Sequence, residues 1–378
     1  MNRISTVCID CRYIGARPSG IGEVVRGLVD HAPALAPDLH FLLLKSPEAV
    51  APLSHAANVT EQVVPAKANS PATMWMLPEI ADLAGVDLFH GTYNTMPARL
   101  AMPVVTTVHD IMWLTDPHWC EPGAKRLIKQ PFYAHGIRRA LARSTHIATV
   151  SAATREAILA YDPALADRVS VTLSGVAPRF TPVPRDNAVL SRFGVSAEAR
   201  YVLVVGQYAP YKNHERALEA FARAFAGNAA MRLVMVQRQG PSATNLEQLA
   251  RRLGIGAQVR FTGGIEEPDL IQLYSHAAAL LHPSLCEGFG NPLAEAMACG
   301  CPVITSDRSA MPEVTGGAAR LVDPLDTESI AGALREVCSD DAIAAQMRTA
   351  GLARAAELSW TAFAAANIAI YRAALAST

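Results

Sequence analysis

Strand-like runs of aliphatic and β-branched residues alternate with helix-forming stretches along the whole chain, and few architectures accept that pattern. A strand, a helix and another strand in succession argue a parallel sheet with helices on its faces. The runs fall at 4–10, 39–44, 83–90, 103–108, 145–150 and 169–173, then at 201–205, 232–236, 258–262, 279–282, 302–305 and 320–322. Between the two sets lies a proline-rich, weakly patterned stretch at 178–186. With 378 residues the chain is also too long for one usual core. The expectation is an α/β chain of two β/α/β domains, 1–178 and 199–359, joined by a linker at 179–198.

Composition closes several other routes. Half the residues are hydrophobic (51%) and only 18% are charged, which excludes a disordered chain. The net charge of −1 supplies no global field toward nucleic acid or anionic lipid. No apolar run reaches the length of a membrane-spanning helix. Met1–Val7 has no apolar run behind a basic head, so a signal peptide is not expected. The seven cysteines are odd in number and scattered, as for reduced thiols in a cytosolic protein. Cys8 and Cys11, and Cys299 and Cys301, lie in or beside apolar strands, where cysteine acts as a small hydrophobe.

The stretch richest in chemistry is Glu287-Gly-Phe-Gly-Asn-Pro-Leu-Ala-Glu295, continuing through Ala296 to Gly300. Gly288 and Gly290 permit backbone conformations closed to other residues. Pro292 suits a first helical turn, because its missing N–H has no helical partner there. Leu293 to Met297 are good helix formers, and Gly300 and Pro302 stop the helix. A helix start behind a glycine turn presents bare amides, a seat for phosphate or another anion. Glu287 and Glu295 bracket that seat, and carboxylates repel phosphate, so hydroxyls are their better partners. A sugar nucleotide supplies both, a diphosphate for the amides and hydroxyls for the acids.

Other candidates stand at strand ends, where parallel sheets meet their ligands. One strand ends at His90 to Asn94 and another at His109-Asp110; Asp110 either orients the imidazole or caps the next turn. Gly20-Ile21-Gly22 precedes the first helix, and Gly206-Gln207 leads to Lys212-Asn213 before another. Asn213 is placed to cap that helix. Lys212 then stands at a helix N-terminus, where a cation needs an anion beside it. Residues 121–144 form a basic amphipathic helix with Lys125, Arg126, Lys129, Arg138, Arg139 and Arg143, broken or kinked at Pro131. Such a helix is either a solvated face or a seat for an anionic acceptor or membrane.

These motifs together resemble the retaining glycosyltransferases of family 4. Glu287 and Glu295, with Gly288, Phe289, Gly290 and Pro292 between them, look like that family's E-x7-E signature. Gly206 to Asn213 is similar to its G-R-x4-K-N loop, with Lys212 matching and Gln207 where the Arg stands. Val150-Ser151, Ser174-Gly175-Val176 and Pro312-Glu313-Val314 match further short motifs, so the resemblance spans nearly the whole chain. It implies a GT-B fold, two Rossmann-like domains across a cleft. The first is the acceptor side, completed by a C-terminal helix at 360–378; the second binds the nucleotide sugar.

The resemblance also implies roles. His109 touches the donor sugar, and Gly20 and Gly22 lie across from the donor. Gly206, Gln207 and Lys212 attend the diphosphate, with Arg238 the candidate for the missing charge. Phe289, Gly290, Asn291 and Leu293 line the donor at the helix start. Glu287 holds the sugar hydroxyls and Glu295 the ribose diol. No Asp-x-Asp flanked by apolar residues stands at a strand end, so neither metal nor cofactor is expected, the nucleotide sugar being a substrate. The implied reaction moves a hexose, best GDP-mannose's mannose, to a glycan or lipid-linked acceptor in polysaccharide biosynthesis, with retention by front-side substitution. A UDP- or dTDP-sugar transferase is the alternative of the same class. Gln207 keeps open a non-catalytic sugar-nucleotide-binding partner subunit. A GT-B epimerase would lack the E-x7-E loop. The expected place is the cytoplasm, with peripheral membrane contact through 121–144.

Overall fold

A computed structural model of the chain describes residues 4–15, 19–237 and 241–377, for 241–243 the backbone alone. Arg238 therefore lies outside the described residues. The chain divides into two compact units. The first runs to Pro117, resumes over Gly123–Gly175 and takes back the chain from Ser359; the second holds His118–Pro122 and Val176–Leu358.

The first unit is built on seven parallel strands. They are β1 (Ser5–Asp10), β2 (Leu39–Lys45), β3 (Val59–Val63), β4 (Leu88–Gly91), β5 (Val104–Val108), β6 (His146–Thr149) and β7 (Val169–Val171), in the order β3-β2-β1-β4-β5-β6-β7. The second unit has six: β8 (Arg200–Val205), β9 (Met231–Val236), β10 (Val259–Phe261), β11 (Ala279–His282), β12 (Val303–Ser306) and β13 (Arg320–Val322), in the order β10-β9-β8-β11-β12-β13. Central strands such as β5 and β11 are buried along their whole length, as expected where helices cover both faces. Each sheet reverses its strand order once, between β1 and β4 and between β8 and β11. Such switch points are where doubly wound sheets bind ligands.

The helices follow local chemistry. Ser19 caps Gly20–Leu35 by accepting a hydrogen bond from the Gly22 amide at 3.0 Å. The helix buries Val24, Val25, Leu28 and Val29 at helical spacing. Ser151 caps Ala152–Tyr161 in the same way, through the Thr154 amide. The C-terminal helix Trp360–Ala376 packs on Gly20–Leu35 within the first unit. Gly27 makes this packing possible, since a Cβ there would lie 2.3 Å from the Trp360 ring. Tyr371 on the same helix meets His90 Nδ1 at 2.6 Å, and His90 Nε2 meets Thr107 at 2.8 Å. His90 is thus a tie between strand and helix.

Five local expectations are corrected. The helix Arg126–Arg143 runs on through Pro131. The bond Pro131 cannot make would reach Leu127, which is 72% exposed, so water can serve that carbonyl. Residues 46–70, proline-rich and poorly patterned in sequence, contain β3, a half-exposed edge strand whose Val-Thr-Glu-Gln-Val has no apolar run to betray it. β4 begins only at Leu88. Asn213 precedes the helix His214–Phe225 in the left-handed region, at φ 59°, without a side-chain cap. Its amide is drawn instead to the carbonyls of Pro283 at 3.0 Å and Pro324 at 2.7 Å. Residues 179–198 belong to the second unit, carry the short helix Asn187–Arg192 and bury Phe180, Leu190, Phe193 and Val195. Cys8, Cys11, Cys299 and Cys301 are free, buried thiols.

Candidate active site

The loops after β8 and β11 meet at the switch point of the second unit. The Leu285 amide donates to the Tyr211 carbonyl at 2.7 Å, and the Asn213 side-chain amide donates to the Pro283 carbonyl, so the two loops are tied by one backbone and one side-chain hydrogen bond. From this tie the chain turns at Gly290, φ 92°, into the helix Asn291–Ala298, with Pro292 in its first turn. The amides of Phe289 and Gly290 donate to no described residue. Leu293 donates to the Gly290 carbonyl at 2.9 Å and its side chain is fully buried, so it braces the turn from below.

Glu287 is held on every side but one. Oε1 accepts from Lys212 Nζ at 2.6 Å, Ser284 Oγ at 2.8 Å and His282 Nε2 at 2.9 Å. Oε2 has no hydrogen bond to any described residue. The backbone of Glu287 is clamped from the loop after β12: Ser309 Oγ accepts from its amide at 3.2 Å and donates to its carbonyl at 2.8 Å. Ser309 does this at φ 55°, a strained conformation for a residue with a side chain.

The electrostatics follow from burial and pairing. Burial pushes the Glu287 carboxyl up, but the Lys212 ammonium and the His282 hydrogen bond outweigh it, so the acid sits well below the usual carboxylate range. Burial pushes the His282 imidazole down against the pull of Glu287, so in this arrangement it is neutral and donates from Nε2. His214 opens the next helix; burial, with Lys212 and His282 adding, takes it down to about 3. Its Nδ1 is buried without a partner among the described residues.

The remaining candidates have mixed settings. Lys212 does have its anion, and that anion is Glu287. Its stem lies over Gly206, where φ is 147° and an added Cβ would sit 3.7 Å from Lys212 Cε. Gln207 is exposed. Asn291 is half-buried in the first helical turn. Glu295 is half-buried, and its Oε2 accepts from the Tyr274 hydroxyl at 2.9 Å. Sequence reading missed His282, Ser284 and Ser309. The strand-end rule that singles out His109 applies equally to His282, the last residue of β11.

In the first unit, His109 is buried. Its Nε2 faces the Thr92 carbonyl at 3.0 Å, so Nε2 carries the proton and Nδ1 is free to accept. Burial lowers its pKa, which keeps it neutral. Asn94 accepts from the His109 amide at 2.7 Å and Thr154 donates to its carbonyl at 2.8 Å. Asp110 Oδ1 accepts from the Met112 amide at 3.0 Å, the turn-capping alternative. Gly20 is exposed and Gly22 buried, where a Cβ would lie 2.8 Å from the Tyr13 carbonyl. At this unit's switch point Asp10 and Arg12 form a buried pair. An array of rings lies nearby, with Tyr13 on Tyr93 at 4.9 Å and Trp113 stacked on Tyr133 at 4.7 Å.

Comparison with known proteins agrees with this construction. The family description Glycosyltransferase Family 4 matches residues 18–180, and Glycosyl transferases group 1 matches 191–354. The O-antigen chain mannosyltransferase B of Escherichia coli is 30% identical over 292 residues, covering 76% of this chain and 73% of that protein. The MMP alpha-(1->4)-mannosyltransferase of Mycolicibacterium hassiacum is 28% identical over 76% of this chain and 69% of its own. The structure of Anabaena HepE, in complex with UDP and glucose, superposes with a TM-score of 0.74 at 16% identity, over 98% of this chain and all of that one (100%). Two doubly wound parallel sheets of this order are the GT-B fold of sugar transferases. The chain belongs to glycosyltransferase family 4.

Proposed function

We propose that the chain moves mannose from GDP-mannose to a glycan or lipid-linked acceptor in polysaccharide biosynthesis, with retention at the anomeric carbon. The observation that carries this reading is the half-engaged Glu287: Oε1 closed by three donors, Oε2 open, beside the unpaired amides of Phe289 and Gly290. An ionised carboxylate with one free oxygen is an acceptor for sugar hydroxyls. The amides and Lys212 suit the negative charge that grows on a leaving diphosphate, so the reaction asks for no metal. In the step itself the C1–O bond to the diphosphate breaks, its electron pair staying on the phosphate oxygen. The acceptor oxygen adds to C1 from the same face and its proton passes to that phosphate oxygen. Glu295, held by Tyr274, is assigned to the ribose diol, and His109 Nδ1 to a donor-sugar hydroxyl.

The mannosyltransferase relatives support mannose. The UDP and glucose bound to HepE support the second reading, a UDP-sugar donor. A thermal-shift panel of GDP-, UDP- and dTDP-sugars separates them, since a ligand at about 100 times its Kd adds about 2.7 kcal/mol to apparent stability. GDP-mannose should raise Tm most and be consumed with an acceptor glycan, giving an α-linked product by proton NMR. A protein that no sugar nucleotide stabilises would overturn the proposal; one that binds without ever turning over would be the non-catalytic subunit.

For the acceptor side, we assign the ring array of Tyr13, Tyr93, Tyr133 and Trp113 as a platform for sugar faces. We also assign membrane contact to the start of Arg126–Arg143. Leu127 and Ile128 are 72% and 81% exposed, and Trp75, touching Phe132 at 5.8 Å, adds an apolar neighbour. Exposed Lys125, Lys129 and Arg138 frame them, a charge pattern suited to anionic headgroups. Among the described residues no helix is long and apolar enough to cross a membrane. Co-sedimentation with anionic vesicles, lost in the Leu127→Ser, Ile128→Ser double variant, tests this surface.

A further inference from the structure

Resting on that reading, Lys212 has two claims on one ammonium. Here it is the cation of Glu287, at 2.6 Å. A donor diphosphate, with more charge, would draw it away. A buried carboxylate that loses its cation is costly unless something else takes up the charge. Two other groups already reach the same oxygen, His282 Nε2 and Ser284 Oγ, and these lie 3.1 Å from each other. Both come from the end of β11, a central strand paired with β8 and β12, and Thr305 on β12 fixes the His282 carbonyl at 2.8 Å. This bracket is anchored independently of Lys212.

We propose that His282 is a positioning residue for Glu287: together with Ser284 it keeps hold of Oε1 when Lys212 turns to the donor phosphates, takes up a proton as it does so, and thereby keeps Oε2 aimed at the sugar hydroxyls. Among the described residues, His282 is the one group touching Glu287, apart from Lys212, that can become a cation. The charged and titratable groups around it are few. Glu287 comes from its own loop, Lys212 from the loop after β8, and His214 from the helix that follows. β8 offers Val202 and Leu203 opposite β11, and β12 offers the neutral Thr305. The arriving diphosphate adds negative charge, so every change on binding favours imidazolium.

The test uses the whole chain with GDP and UDP as probes, since either carries the diphosphate that should capture Lys212. Titration calorimetry in two buffers of different ionisation enthalpy, near pH 7.5, should show uptake of about one proton with the wild type. His282→Gln keeps a side-chain N–H donor and cannot titrate. It should take up none, bind the nucleotide within about threefold of wild type, and lower kcat with a donor sugar about 10- to 100-fold through loss of alignment. His282→Leu, with no donor, should lower kcat further. Proton uptake that persists in His282→Gln, or wild-type kcat in His282→Leu, would sink the inference. Should the variants fail to fold, ring-nitrogen NMR of the wild type decides: one buried imidazole must become doubly protonated on adding nucleotide, and an unchanged spectrum overturns the proposal. If neither GDP nor UDP binds at all, the donor reading itself fails; if one binds and His282 stays neutral, only the present inference does.

Discussion

The two sheets each carry a buried acid–cation pair at the same topological position, the reversal of strand order. After β1, Asp10 Oδ1 accepts from Arg12 Nε at 2.8 Å and Oδ2 from Nη2 at 2.6 Å. Arg12 Nη1 goes on to the Ala66 carbonyl at 2.8 Å and Thr73 Oγ1 at 2.9 Å, while Thr92 donates to the Asp10 carbonyl at 2.6 Å. Both carboxylate oxygens are taken, and the planar guanidinium fits them two for two. After β8 and β11, Glu287 uses one oxygen for three donors and none of them is a fork. A closed pair organises the loops around it. The pair in the second unit is unfinished, and a lysine, which holds as a point charge on a flexible stem, can leave it. Position at a switch point thus marks where a ligand can bind, and an oxygen left over is what gives the second pair the capacity to take one.

If this distinction is right, removing each acid or its cation should damage different things. Glu287→Ala is expected to lower kcat by about a thousandfold or more, equivalent to about 4 kcal/mol of transition-state stabilisation. Donor KM should move only a few-fold and Tm little. Steady-state kinetics with a donor sugar reads both numbers, and near-normal turnover would remove Glu287 from the site. Arg12→Met is the counterpart. It leaves Asp10 buried and unpaired, and should cost about 3–5 kcal/mol in a urea melt. If Arg12→Met folded with wild-type stability but lost activity, the first unit's pair would be the working one and the comparison would reverse.

The unequal legibility of the two units has a physical origin. The turn and helix from Glu287 to Ala298 could be read because glycine, proline and the acids that matter are neighbours in the chain. Lys212 was legible as a cation short of an anion, but its partner lies 75 positions away, and no local rule connects them. Asn213 shows the opposite failure. A capping role is the common local use of asparagine, and two distant carbonyls outcompeted it. His282 was within reach of the strand-end argument, yet its run into Pro283 and Ser284 reads simply as a strand stopping. The edge strand β3 was invisible because its sequence is half polar, as an exposed edge requires. Ser309 carries no sequence signal at all: its role depends on a strained turn that only the fold produces.

A smaller effect compares two buried histidines, one in each unit. Burial takes His90 and His214 down to about 3 each. Below the ordinary histidine value near 6.5 the unfolded chain binds protons that the folded chain refuses. Stability from each is therefore full above pH 6.5 and is lost as pH falls toward 3, by up to about 1.4 kcal/mol per unit, or about 2 kcal/mol at pH 5. Denaturant melts at pH 7.5 and 5.0 should show the loss, and His90→Leu and His214→Leu should each flatten it. At pH 7.5 the two variants should part. His90→Leu leaves the Tyr371 and Thr107 hydroxyls unpaired and should cost about 1–3 kcal/mol. His214 Nδ1 has no partner among the described residues to lose, so His214→Leu should cost less. Equal costs would mean that the second unit's polar groups are as fully satisfied as the first's.

The smallest expected change is a gain. Gln207 follows Gly206 at the mouth of the β8 loop and is exposed. If Lys212 is shared between Glu287 and the donor, the second unit is one cation short of holding both. Gln207→Arg would add a permanent charge with a fork suited to phosphate oxygens. Screening at an exposed position limits the benefit to about 1 kcal/mol, a few-fold to tenfold in donor KM, strongest at low salt. kcat should not rise, because the extra charge acts on the ground state as much as on the leaving diphosphate. The informative measurement is Gln207→Arg combined with the buffer calorimetry: an added arginine that takes the diphosphate leaves Lys212 with Glu287, so proton uptake on nucleotide binding should shrink. Tighter binding with unchanged uptake would show that Lys212 still departs, and the lysine's looseness, rather than a shortage of charge, would then be what keeps this site open.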